Sequence, residues 1–184
     1  MIHLKVQTRQ FQERPLEFEF EVAPEQLGLE DEYYRFINHV TGRIEFQFVE
    51  RDVEAKGIIF ARIEGPCVRC LAPAKLGLEV PVREFWLHQE REEQIEDPDE
   101  FEDLTLSHRL TGEEIELDEI VRELIMADLP ERPLCSPDCK GLCPDCGVNV
   151  NREPCRCGPA TVKRREEKRL PEWKRAIKQI KLGG

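Results

Sequence analysis

Six of the eight cysteines in this 184-residue chain fall within residues 135–157, CSPDCKGLCPDCGVNVNREPCRC. No other feature restricts the fold as tightly, because thiols at this density point to a metal site, a disulfide framework or redox chemistry. Within the run, Cys143-Pro-Asp-Cys146-Gly147 has the form of a zinc knuckle. Two residues between the thiols let a tight turn aim both sulfurs at one ion. Pro144 presets φ, and Gly147 can take positive φ so that backbone N–H groups reach the sulfurs. Cys155-x-Cys157 supplies a second pair, closing a four-thiolate set that leaves no position open for chemistry.

Cys135 and Cys139 then remain, and so do Cys67 and Cys70 in GPCVRCLAP. Two short-spaced pairs make a second four-sulfur set, so the expectation is two zinc ions. One is local to the C-terminal run and one clips that run onto the body. An alternative takes Cys135, Cys139, Cys143 and Cys146 as one site and leaves Cys155 and Cys157 spare. Four disulfides would also use an even number of cysteines. Against them, Met-Ile-His-Leu-Lys opens no signal peptide and no apolar run reaches membrane-spanning length. A cytoplasmic location with reduced thiols is expected. For Cys67 and Cys70, an ordinary turn with buried thiols stays open. A thioredoxin-type redox pair would be expected in a βαβ setting that the sequence does not offer.

With 40% apolar and 35% charged residues, the chain is of the soluble globular class. Its net charge of −11 is unevenly spread: residues 161–184 carry nine Lys or Arg against three Glu, about +6, leaving about −17 for the remainder. An acidic body repels phosphate backbones and a basic tail attracts them.

Strand signals dominate the first ninety residues. Leu4 and Val6 alternate with polar residues, as do Leu16, Phe18, Phe20 and Val22. Residues 23–39 hold no firm period and read as a connection with a helical turn. Ile44, Phe46 and Phe48 alternate again. The charged stretch 50–56 with Gly57 reads as a hairpin link, and residues 57–63 return as the partner strand. Beyond the first cysteine pair, Leu76, Leu78, Val80 and Val82 keep the alternation, which puts Cys67 and Cys70 in the tip joining two strands. Residues 89–103, with nine acidic residues and one Arg, read as a solvated loop or as a lure for a basic partner. Asp118 can cap a helix over 118–129, with Leu117, Ile120, Val121, Leu124 and Ile125 as its apolar stripe and Pro130 as its stop.

The expected fold is therefore α+β. An antiparallel β-rich body with one packed helix, residues 1–130, leads into a Cys-rich zinc-binding module, 131–160, and a short basic helix within 161–184. In that tail Leu170, Trp173, Ile177 and Ile180 recur at helical spacing, with Lys174, Arg175, Lys178 and Lys181 to one side. The tail helix either docks its apolar stripe on its own domain or contacts RNA phosphates or a partner groove. Candidate contacts are Lys163, Arg164, Arg165, Lys174, Arg175 and Lys178.

Together, Cys67-Val-Arg-Cys70-Leu71, Leu129-Pro130-x-x-Pro133-Leu-Cys135, Cys139-Lys-Gly-Leu-Cys143-Pro-x-Cys146-Gly, Cys155-x-Cys157 and Pro171-x-Trp173 with Ile177 and Ile180 resemble the YceD family, a bacterial and plastid group. The family's cysteine motifs fall on all eight cysteines, and the resemblance covers residues from about 40 to the end. It implies a non-enzymatic factor for accumulation of 23S ribosomal RNA, hence for large ribosomal subunit biogenesis. Some family members keep the first cysteine pair and lose much of the C-terminal run, which suits two separate sites.

The residues themselves also lack catalytic apparatus. His3, His39, His88 and His108 are scattered, and no phosphate loop or nucleophile elbow is present. No small-molecule substrate and no membrane contact is expected. Two functions remain open. One is an assembly factor whose partners are ribosomal RNA or a basic large-subunit ribosomal protein. The other is a zinc-stabilised protein–protein adaptor with no direct nucleic-acid role.

Overall fold

The computed structural model describes residues 4–88, 107–110 and 112–157. The acidic segment 89–103 and the basic tail 161–184 lie outside the described residues. Strands β1 (Lys5–Gln7), β2 (Leu16–Val22), β3 (Arg35–Phe36), β4 (Val40–Val49), β5 (Asp52–Pro66), β6 (Pro73–Leu87), β7 (Ser107–Arg109) and β8 (Glu114–Glu116) precede one helix, α1 (Asp118–Ala127). The main sheet runs β2-β4-β5-β6-β7, with β3 also paired to β5. All its pairings are antiparallel except β6 with β7. β1 and β8 form a separate two-stranded ribbon. The sheet-rich body with one helix is the architecture the sequence pattern leads one to expect.

The alternation sets which face is buried. Val40, Ile44 and Phe46 of β4 and Val53, Ala55, Ile59, Ala61 and Ile63 of β5 point into one core. The stripe of α1, chiefly Val121 and Ile125, closes over them, joined by Leu117, Ile115 of β8 and Val6 of β1. Fully burying side chains of this size contributes about 1.5–3 kcal/mol each, and no cysteine belongs to this core. Phe11 and Trp86 lie 5.8 Å and 6.1 Å from Phe46, ring centre to ring centre.

Three local expectations are corrected. The link between β4 and β5 is not residues 50–57 but two residues, Glu50 and Arg51, with Glu50 in the left-handed region at φ 61°. Residues 52–57 are strand. Their charges are compatible with burial because Asp52 accepts a hydrogen bond from the His88 N–H at 2.9 Å and Glu54 is held by Lys56 and Gln47. Gly57 is a mid-strand residue: a Cβ there would stand 2.1 Å from the Arg43 carbonyl oxygen. Second, Asp118 does not cap α1. Leu117 occupies that position, and the Asp118 carboxylate accepts from the Leu4 N–H at 3.0 Å, tying the β1 end to the helix. Third, α1 stops at Ala127 and not at 129, since Pro130 disfavours helical backbone at Leu129. Residues 23–39 hold a 3-10 turn (Pro24–Leu27) and β3, close to expectation.

β5 and β6, each 15 residues, form a hairpin about 50 Å long if fully extended. Its register holds from Val53↔Trp86 to Pro66↔Pro73. The hairpin therefore carries residues 67–72 well away from the centre of the core.

Candidate metal centres

At the hairpin tip the Cys67 N–H bonds the Ala72 carbonyl and the Leu71 N–H bonds the Cys67 carbonyl, both at 2.9 Å, with Leu71 at φ 59°. This turn puts the Cys67 and Cys70 sulfurs on one side. The chain leaving α1 comes to meet them: the Val68 N–H donates to the Pro133 carbonyl at 2.9 Å, and Arg69 Nη1 to the Cys139 carbonyl at 2.8 Å. Cys67 Sγ then lies 3.8 Å from Cys139 Sγ, and Cys70 Sγ 3.5 Å from Cys135 Sγ. Cys67, Cys70 and Cys139 are buried with Ala74 in a small cluster of their own, against which Ala72, Leu134 and Leu142 pack.

The second group is local. The Cys143 N–H bonds the Val148 carbonyl and the Gly147 N–H, at φ 76°, bonds the Cys143 carbonyl, forming the expected knuckle turn. Cys155 Sγ lies 3.2 Å from Cys143 Sγ and 3.7 Å from Cys146 Sγ. The Asp145 and Cys157 backbone N–H groups donate to the sulfurs of Cys143 and Cys155. In each group, Cys67, Cys70, Cys135, Cys139 and Cys143, Cys146, Cys155, Cys157, all four sulfurs lie within 4.8 Å of one another. This is the first of the two groupings the sequence left open. No histidine joins either cluster among the described residues.

The two groups are stitched together. Leu142 N–H donates to the Arg69 carbonyl at 3.0 Å, and Gly141 sits so close that a Cβ would be 2.9 Å from that same oxygen. Asn151, in the second loop, donates its side-chain amide to Cys139 Sγ of the first cluster at 3.3 Å and accepts from the Lys140 N–H at 2.7 Å. Sequence reasoning missed Asn151 and Arg69. An asparagine or arginine among cysteines carries no spacing signal that marks it as a sulfur's neighbour. The six tail cations, Lys163, Arg164, Arg165, Lys174, Arg175 and Lys178, lie outside the described residues.

The electrostatics suit a cation. Burial opposes ionisation of Cys67, but the backbone N–H groups of Cys135, Arg69 and Cys70 outweigh it and bring the thiol down to about 6. The Cys146 and Asp145 N–H groups bring Cys143 down to about 6. Three neighbours of the lowered thiols resist ionisation: Cys70 and Cys139 push Cys135 up to about 12, Cys143 pushes Cys155 up, and Cys155 pushes Cys157 up. Four thiols this close do not all ionise unless a positive charge stands among them. The spacing fits as well. A Zn–S bond of about 2.3 Å in tetrahedral geometry separates sulfurs by about 3.8 Å, whereas a disulfide would hold them at about 2.05 Å. The clusters can each hold a metal ion.

Fold and clusters together define a β-sheet protein whose C-terminal run is gathered around two four-cysteine sets. The chain belongs to the YceD family: the family model described as "Large ribosomal RNA subunit accumulation protein YceD" matches residues 55–178. Uncharacterized proteins of Mycobacterium tuberculosis and Mycobacterium bovis are 28% identical to it over 141 residues, covering 74% of this chain and 60% of theirs. The chain thus spans about 60% of the length of these curated relatives. The chloroplastic Large ribosomal RNA subunit accumulation protein YCED homolog 1 of Arabidopsis thaliana is 36% identical over 55 residues, 30% of this chain and 15% of that protein. No solved structure matches. The family is named for accumulation of an RNA and not for a reaction. Among the described residues no helix is long and apolar enough to cross a membrane.

Proposed function

We propose that this protein is a non-enzymatic, cytoplasmic factor supporting accumulation of 23S ribosomal RNA and biogenesis of the large ribosomal subunit, held in shape by two structural zinc ions. The observation that carries this reading is the family match over residues 55–178, which takes in both cysteine clusters and Trp173. Cys67, Cys70, Cys135 and Cys139 hold one ion, and Cys143, Cys146, Cys155 and Cys157 the other. Each set supplies four thiolates, so the ions order the chain and activate no water. The basic residues Lys163, Arg164, Arg165, Lys174, Arg175 and Lys178 touch ribosomal RNA, and the acidic body receives a basic large-subunit ribosomal protein. Both contacts weaken as salt rises.

Replacing Lys163, Arg164, Arg165, Lys174 and Lys178 with Gln tests the reading. It removes charge and leaves the apolar stripe and most helix propensity in place. In cells carrying only this variant, 23S ribosomal RNA should fall while the purified protein keeps its fold and metal content. Normal RNA levels and unchanged co-purification of ribosomal components would remove the tail from the function and favour an adaptor that does not touch nucleic acid.

A further inference from the structure

Beside the first cysteine cluster the surface is cut by a groove of about 490 Å³, lined chiefly by Tyr33, Tyr34, Val68, Met126, Leu129 and Pro133. Its base is rigid: Tyr34 is buried with its hydroxyl donating to the Pro130 carbonyl, and the Asp31 carboxylate accepts the N–H groups of both Tyr33 and Tyr34 at 2.8 Å. Its walls are apolar and open, with Tyr33 65% and Val68 51% exposed, two of the five large hydrophobic side chains left exposed among the described residues. Asp31 and Glu131 are the charged residues that line it. Counting their neighbours in 30–35 and 128–133, the flanking segments hold five acidic residues against Arg35 and Arg132. Arg35 is itself paired with Glu64 at 2.8 Å.

We propose that this groove is the seat of the protein's own C-terminal segment, residues 170–180. Three features of the sequence and structure single out this occupant. Leu170, Trp173, Ile177 and Ile180 recur at the spacing by which an amphipathic helix presents anchors to an apolar groove, with Trp173 as the large anchor. The charges match, since residues 161–184 carry about +6 and the groove is rimmed by carboxylates. The reach suffices: Cys157 belongs to the cluster whose loop is tied to the hairpin tip by Leu142 and to Cys139 of the first cluster by Asn151, and the tip's Val68 is a wall of the groove. Twelve residues separate Cys157 from Leu170, and a chain of that length spans about 20 Å root-mean-square. Tethering at so short a range gives an effective concentration on the order of millimolar, so modest contacts suffice. Seated in this way, the tail keeps its apolar stripe on the groove and leaves the side bearing Lys174, Lys178 and Lys181 free for a phosphate backbone. The docking stands whether or not RNA is the ligand of that side.

The test uses the full chain. The sequence has two tryptophans, Trp86 in the core and Trp173 in the tail, so Trp86→Phe makes Trp173 the only reporter. Its emission should be blue-shifted and protected from quenching by iodide. Adding Tyr33→Ser or Tyr33→Asp should shift the emission to the red and expose it to quencher, with metal content and circular dichroism unchanged because this side chain is exposed and away from the cysteines in sequence. A photo-reactive benzoylphenylalanine replacing Tyr33, in the otherwise natural chain, should crosslink to residues 170–180 of the same chain. Solvent-like Trp173 emission in the parent, or emission indifferent to both groove variants, overturns the proposal. So does a crosslink at dimer mass, which would assign the groove to a second copy.

Discussion

Glu54 is a carboxylate inside a sheet, and its tolerance there has a cost at low pH. Burial alone would raise it above its ordinary value of 4.5, but hydrogen bonds from Lys56 and Gln47, with the charges of Lys56 and Arg83, hold it below. A depressed pKa means stability that is fully present above 4.5 and is lost as pH falls through the lower, folded value. Glu54→Ala should therefore cost about 1 kcal/mol at neutral pH, a modest figure because Lys56 is half exposed and its share is screened. The gap between parent and variant should close in acid, read as urea midpoints across a pH series at constant zinc; an unchanging gap would show that the buried pairing does not stabilise the fold. Asn151 is a second side chain with a measurable role. Its amide donates to the Cys139 sulfur, and such outer contacts typically govern metal affinity by 10–100-fold. Asn151→Ala should weaken zinc at the first cluster by roughly tenfold, leaving the second unaffected, in a competition titration with a chromophoric chelator. Neither residue was visible beforehand. Glu54 stood in a stretch whose charges mask a strand, and Asn151 acts across a loop whose path the sequence does not encode locally.

The β5–β6 hairpin was half legible. Alternation at Leu76, Leu78, Val80 and Val82 placed β6 correctly, as Ile44 and Phe46 did the neighbouring β4, because one face is buried and period two follows from the pleat. The start of β5 was hidden because the pattern weighs Asp52 and Glu54 as loop residues, while the structure buries both with partners. The stripe of α1 was equally readable, whereas its cap was not: Asp118 had a competing donor in Leu4, 114 residues away. Cysteine spacing gave the two pairs of pairs, yet which pair meets Cys67 and Cys70 depends on where α1 delivers the chain. Since the hairpin tip and the post-helix run share one cluster, the proposed content of two zinc ions per chain should fall to one in Cys67→Ser and equally in Cys135→Ser. The double variant should cost little more stability than either single one, because a site lost once cannot be lost again. Additive losses, or an unchanged zinc count in Cys67→Ser, would separate the two residues.

Among the described residues, two buried clusters share no residue, one of sheet and helix and one around the first cysteine cluster. Chelation should accordingly leave the strand signal in circular dichroism intact and open residues 131–157 to a protease, located by mass spectrometry; retention of protease resistance would show that metal is not what holds that run. The two clusters also differ in how they are reached. Cys70 meets Cys135 across 65 residues and Cys143 meets Cys155 across 12, a difference in loop-closure entropy of about 1.5 kcal/mol. The second set can gather on a short stretch by itself, but the first exists only after the long hairpin has formed and α1 has packed. As the chain leaves a ribosome, the first cluster is thus completed only once Cys135 and Cys139 have followed the body out, so an ion held there would fasten a body already folded. Oxidants or metal scarcity would then disable both thiol sets and free the C-terminal run while the sheet persists.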